Sequence, residues 1–147
     1  MTFQIGQPEP TAEKFELYGK YQTHWHQKPA EENDYDGFVS FLYQSPVQTI
    51  EYTYRDPNGK LLGVGICDVC EQSLSSVYFY YDPTQAKRSL GVYSALIEIQ
   101  QAKEMGIRYY YMGYWIKGCK TMDYKIQYQP SEVLEPDGRW VRWKPVF

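Results

Sequence analysis

Residues 82–113, DPTQAKRSLGVYSALIEIQQAKEMGIRYYYMG, decide the fold. Asp82-Pro83 opens a turn, and beyond it Val92, Ala95, Leu96, Ile99 and Ala102 recur at three- and four-residue steps. That spacing predicts a helix over Arg88 to Met105, with Glu98, Gln100, Gln101, Lys103 and Glu104 on its wet side. Gly106 then reads as a left-handed helix end, and the β-rich run after it as a strand over Arg108 to Tyr114. Upstream, Leu74 to Tyr81 (LSSVYFYY) reads as another strand. Strand, helix, strand in this order calls for two parallel, adjacent strands joined by a right-handed crossover. Ligands of open α/β sheets collect outside the carboxyl ends of strands, where the N–H groups of a helix's first turn hold anions. Arg88, Ser89 and Gly91, in the basic element R-x-x-G-x-Y that ends on Tyr93, are therefore the first candidates for holding a phosphate.

Working outward, Leu61 to Val69 and Thr49 to Tyr54 alternate with period two around Asp56-Pro57-Asn58-Gly59, the signature of an antiparallel hairpin. Before it, Tyr35, Phe38, Val39, Phe41 and Leu42 mark a short helix, and Thr11 caps an earlier one carrying Phe15, Leu17, Tyr18, Tyr21 and Trp25. Met1 to Pro10, with its two prolines, is expected to be a flexible leader, and residues 11–147 a single domain. After Tyr114, Trp115 to Lys125 predicts a turn and one short helix, dense in the cations Lys117, Lys120 and Lys125. Gln127 to Leu134 and Arg139 to Trp143 predict two strands across Glu135-Pro136-Asp137-Gly138. The expected class is α+β: a mixed, mostly antiparallel sheet with one parallel strand pair and helices on both faces.

A net charge of −3 provides no global field for nucleic acid, so any such contact must be a local basic patch. Sixteen tyrosines and four tryptophans serve either sheet packing or a site lined with aromatic faces and hydroxyls. Three cysteines without a secretory leader predict reduced thiols and a cytoplasmic protein. Cys67 and Cys70 have C-x-x-C spacing, but residues three apart on a strand point to opposite faces, so no metal is expected there. His24 and His26 do not share a helical face either, which leaves a single histidine at the edge of a site. No apolar run approaches the ~20 residues of a membrane span, so no membrane partner is expected.

The order of elements, and the helix-start motif with Tyr93 in place of a small residue, resemble the GNAT acetyltransferase superfamily. More closely, the chain is similar to the C-terminal domain of the aminoacyl-tRNA-protein transferases, the arginyltransferases and bacterial leucyltransferases. Ile50-Glu51-Tyr52, Leu74-Ser75-Ser76-Val77-Tyr78, Arg88-Ser89-Leu90-Gly91-Val92-Tyr93-Ser94, Gly113-Tyr114-Trp115-Ile116 and Tyr124-Lys125 carry that likeness, which covers roughly residues 15 to 134.

The resemblance implies transfer of an amino acid from the 3′ end of aminoacyl-tRNA to the N-terminal amine of an acceptor protein, usually one with an acidic first residue, in the N-degron route to degradation. It implies no cofactor. The family's cysteine-rich N-terminal domain has no counterpart in the stretch, so a separate chain supplying that half is one expectation. A CoA-dependent N-acetyltransferase and a non-catalytic binder of tRNA or protein N-termini stay open beside it. An α-amine has a reference pKa near ~8, so a strong base is optional, and Glu51 and Asp68 are the candidate proton acceptors. Arg88, Ser89 and Gly91 are candidates for the donor's terminal nucleotide, and Tyr93, Tyr114 and Trp115 for stacking. Lys117, Lys120 and Lys125 are candidates for an acidic acceptor.

Overall fold

The computed structural model describes residues 1–144. They fall into two compact units, one of Met1–Tyr111 and one that begins at Met112. The first holds a five-stranded sheet made of β1 (Thr2–Gly6), β2 (Thr49–Arg55), β3 (Leu61–Val69), β4 (Ser73–Tyr81) and β5 (Tyr109–Tyr111), ordered as they occur in the chain. Every neighbouring pair is antiparallel except β4 and β5, which run parallel as the sequence predicts. Their pairing is short. β5 meets only Ser73, Leu74 and Ser75, so Ser76 to Tyr81 extends past the last residue paired with β5.

Helices cover both faces. On one lie α1 (Ala12–His26), whose N-cap Thr11 accepts from the Lys14 amide, and α2 (Tyr35–Leu42), capped by Asp34. Leu17, Phe38 and Leu42 pack there against Leu61, Val64, Ile66 and Tyr80. On the other face α3 (Leu90–Glu104) covers Tyr52, Tyr54, Cys67 and Leu74 through Ala102 and half-buried Tyr93 and Ile97. Gly106 ends this helix region at φ +72°, the left-handed stop read from the sequence.

Four expectations change. Thr2–Gly6 is not a flexible leader but an antiparallel edge strand, in register from Thr2↔Arg55 to Gly6↔Glu51. All five of its residues are exposed, so backbone pairing rather than burial orders it. The line of α3 that is buried is Leu90, Ser94, Ala95, Glu98 and Ala102, whereas Val92 and Leu96 are exposed. Glu98, predicted on the wet side, is 1 % exposed. The physical reason lies in β3, where Gly65 has no side chain and leaves a space that Ser94 and Glu98 fill. The strand predicted over Arg108 to Tyr114 is limited to Tyr109–Tyr111, and Gly113 already turns at φ +76°.

In the second unit the fourth change appears: the expected helix is one 3-10 turn, Asp123–Gln127, followed by a hairpin of β6 (Glu132–Leu134) and β7 (Trp140–Arg142), shorter than predicted.

A Cβ at Gly65 would stand 3.0 Å from Glu98 Oε1 and 3.3 Å from Ser94 Oγ, both buried and hydrogen-bonded to each other. Gly65→Ala should therefore cost about 1–3 kcal/mol in urea unfolding, the usual overpacking range. Gly6→Ala, whose Cβ meets nothing within 4 Å, should cost much less in the same experiment.

Candidate active site

The helix start is assembled from β4 onward. Asp82 leaves the strand with its amide bonded to the Leu62 carbonyl at 2.8 Å. Its carboxylate accepts from the Thr84 amide at 3.0 Å, the Thr84 hydroxyl at 2.7 Å and Lys60 Nζ at 2.6 Å. Burial works against the charged form of Asp82, yet these donors outweigh it and hold the carboxyl below its ordinary range. Asp82 thus caps a 3-10 segment, Pro83–Arg88, that delivers Arg88 to the foot of α3.

Ser89 then takes φ 52° and ψ 45°, a left-handed conformation unfavourable for any residue with a Cβ. Its side chain makes no capping bond to α3, unlike Thr11 and Asp34 at the other two helices. Gly91 follows. A Cβ there would meet only Phe79, at 3.8 Å and beyond, so packing does not demand glycine, although glycine in a helix costs roughly 0.5–1 kcal/mol. A bare backbone is what remains, beside an exposed Arg88 whose guanidinium, among the described residues, reaches Gln85 Oε1 at 3.3 Å and Met1 Sδ at 4.0 Å. Among the described residues Arg88 forms no ion pair. Such a helix start, uncapped and next to a free cation, suits an anion.

The remaining candidates divide by what they touch. Tyr93 packs its ring against Tyr54 with centroids 5.9 Å apart and belongs to the core under α3. Glu51 is buried and ion-paired with Lys14, and its other oxygen accepts from the Tyr43 hydroxyl at 3.0 Å, with Tyr80 next in line at 3.1 Å. Lys14 also donates to the Glu9 carbonyl at 2.7 Å. Asp68 accepts from Thr49 Oγ1 at 2.7 Å and from Ser45 Oγ at 3.3 Å. Of these two carboxylates, Glu51 has both oxygens engaged within the fold.

Within the second unit Tyr114, Lys117 and Lys120 are exposed. Trp115 Nε1 donates to Asp123 Oδ1 at 3.2 Å, which fixes the indole in place. Lys125 turns inward, donating to the Tyr114 carbonyl at 2.8 Å, and burial lowers its pKa.

One functional-looking cluster was not foreseen. Glu98 accepts from Ser94 at 2.7 Å and from Tyr110 at 2.6 Å, while Tyr54 lies 3.0 Å from the same serine. Burial pushes up the pKa of Tyr54, Tyr110 and Cys67, and the Glu98 charge adds to each. Tyr52 adds a buried hydroxyl with no partner among the described residues. The signal in the sequence was Glu98 standing three residues after Ala95 and four before Ala102, inside the stripe rather than beside it. Cys67 is buried and Cys70 exposed, both as free thiols.

This arrangement of sheet and helices is the GNAT acyltransferase fold. Over 95 % of its length the chain superposes with a TM-score of 0.60 and 16 % identity on the ribosomal-protein-S18-alanine N-acetyltransferase from Escherichia coli, of which it covers 88 %. A GNAT-family acetyltransferase from Staphylococcus aureus Mu50 follows with a TM-score of 0.56 and 11 % identity, over 93 % of this chain and 91 % of that one. Within that fold class the sequence is specific: the family described as arginine-tRNA-protein transferase, C terminus, matches residues 13–135, and the chain belongs to it. An aspartate/glutamate leucyltransferase from Hyphomonas neptunium is 37 % identical over 142 residues, 94 % of this chain and 55 % of that protein. The protein of the same name from Alkalilimnicola ehrlichii is 42 % identical over 104 residues, 71 % of this chain and 43 % of that protein. The chain therefore spans about half the length of the curated relatives it matches.

Asp82 provides a test of how the helix start is held. Its folded pKa lies below the unfolded value, so its stabilisation is present above about pH 4 and is lost as pH falls through the folded value. Asp82→Asn should lower stability at neutral pH by about 1 kcal/mol, the usual worth of a cap, and the gap to the parent should close in acid. Denaturant titrations at several pH values measure both.

Proposed function

We propose that this chain is the catalytic domain of a transferase that moves leucine from leucyl-tRNA to the N-terminal amine of proteins beginning with aspartate or glutamate. The observation that carries this reading is the family match over residues 13–135, with relatives named for that donor and those acceptors. The helix start supports it: Arg88, the uncapped turn at Ser89 and the bare backbone of Gly91 suit a phosphate of the donor's terminal nucleotide.

The chemistry asks little of side chains. The acceptor α-nitrogen attacks the ester carbonyl carbon, an amide bond forms as the ester C–O bond breaks, and the terminal ribose hydroxyl leaves carrying a proton. The ammonium proton is shed to solvent in advance, since the amine titrates near ~8. Orientation and stabilisation of the oxyanion therefore outweigh base catalysis. Neither candidate proton acceptor is placed to act at this helix start: Glu51 is committed to Lys14, and Asp68 pairs with Ser75, six residues and roughly 20 Å of strand before the Tyr81 end of β4 that leads to α3. Lys117 and Lys120, both exposed, are the cations offered to an acidic acceptor, and Tyr114 a stacking face.

Cytoplasmic location and a separate chain supplying the family's cysteine-rich half belong to the same proposal. Among the described residues no helix is long and apolar enough to cross a membrane.

The test is incubation of the 147-residue chain with labelled Leu-, Arg- and Phe-tRNA and peptides beginning with Asp, Glu or Ala. Label should pass from Leu-tRNA to the Asp and Glu peptides, and activity without any second chain would remove the need for one. Arg88→Ala should weaken aminoacyl-tRNA binding by about 1.5–3 kcal/mol and flatten its salt dependence. Acetyl transfer from acetyl-CoA, with acetyl-CoA raising the melting temperature, would instead make the protein an acetyltransferase.

A further inference from the structure

An aromatic strip leads away from the start of α3. Phe79, the residue that a Cβ at Gly91 would touch, stacks on Tyr81 with ring centroids 5.8 Å apart and an interplanar angle of 25°. Tyr81 in turn meets Trp25 at 6.3 Å and Tyr21 at 5.3 Å. Trp25, in the last turn of α1, is 45 % exposed. Tyr81 is the last residue of β4, on the stretch that β5 does not pair. One end of the strip is therefore a helix start with the exposed cations Lys87 and Arg88, and the other is the half-exposed indole of Trp25.

We propose that this strip is a stacking platform for the unpaired 3′-terminal bases of the donor RNA, with Trp25 and Tyr81 taking bases while Arg88 and the foot of α3 hold the phosphate between them. The inference rests on the transfer reading above and adds a base-binding subsite to it. The charge pattern selects the occupant. Alternating anionic phosphates and flat bases match a cation followed by aromatic faces, and stacking needs no particular base because every base has a π-face. Recognition of single-stranded ends by splayed bases stacked on aromatics is also how proteins read RNA outside its helical parts.

The experiment compares two RNA probes, a hairpin ending in a single-stranded 3′ ACCA overhang and the same hairpin blunt-ended, by fluorescence anisotropy. The parent chain should prefer the overhang, and binding should quench tryptophan emission. Trp25→Leu, which keeps apolar bulk but removes the π-face, should weaken overhang binding by about 5- to 150-fold, equivalent to ~1–3 kcal/mol per stacked base. Blunt-probe affinity and the salt slope should stay unchanged in that variant, and Trp25→Phe should recover most of the loss. Arg88→Ala should act differently, reducing the salt slope by about one on the overhang probe. Equal affinity of the parent for both probes, or unchanged overhang binding by Trp25→Leu with its melting temperature intact, would overturn the platform. Leucine transfer separates the two claims: transfer with no role for Trp25 leaves the transfer reading standing alone. Trp25-dependent overhang binding without transfer keeps the platform and removes the catalytic reading.

Discussion

A three-residue parallel pairing carries the architecture. β5 touches β4 only through Ser73↔Tyr109, Leu74↔Tyr110 and Ser75↔Tyr111, too few contacts to position a strand on their own. Tyr110 adds the missing anchor by donating to Glu98 of α3 at 2.6 Å. Glu98 reaches that place because β3 carries glycine at position 65, and Ser94 supplies its other oxygen with a donor. Glycine, glutamate, serine and tyrosine thus lock crossover helix and last strand to the sheet. A buried carboxylate with no ion-pair partner among the described residues is expensive to desolvate, which makes each donor matter.

The opposite face shows another solution to the same problem. Glu51 also sits buried on a central strand, but Lys14 of α1 neutralises it and Tyr43 bonds the second oxygen. Removing one member of such a pair strands a charge, so the contact fixes how α1 docks more than it adds to net stability. Two acids, one per face, therefore pin the covering helices in register while apolar contacts provide the bulk of the cohesion. What stays free is the foot of α3, where Asp82 and a strained Ser89 present the backbone instead of burying it.

Much of this was legible. The hairpin around Asp56 to Gly59, the helix stop at Gly106 and the parallel pair all follow from local periodicity and turn chemistry, and all are present. The buried face of α3 was not legible, because the helix is apolar on more than one side and the choice is made by Gly65 and Tyr110, distant in sequence. β1 escaped notice because an exposed edge strand needs no apolar alternation, only a partner with free backbone groups. Arg88, Ser89 and Gly91 could be located from the motif alone. The left-handed turn at Ser89 and the inward fold of Lys125 could not, since both depend on backbone geometry that residue types do not encode.

The foot of α3 is the proposed place of the donor, and transfer at this domain depends on it. A crystal structure of the chain with a non-hydrolysable leucyl-adenosine analogue carrying a 5′-phosphate tests this most directly. The phosphate should lie against the amides of the first turn of α3, within reach of the Arg88 guanidinium. Density for the analogue elsewhere, such as the groove lined by Gly19, Thr23 and Asn33 together with Pro83 and Thr84, with the α3 start empty, would contradict it.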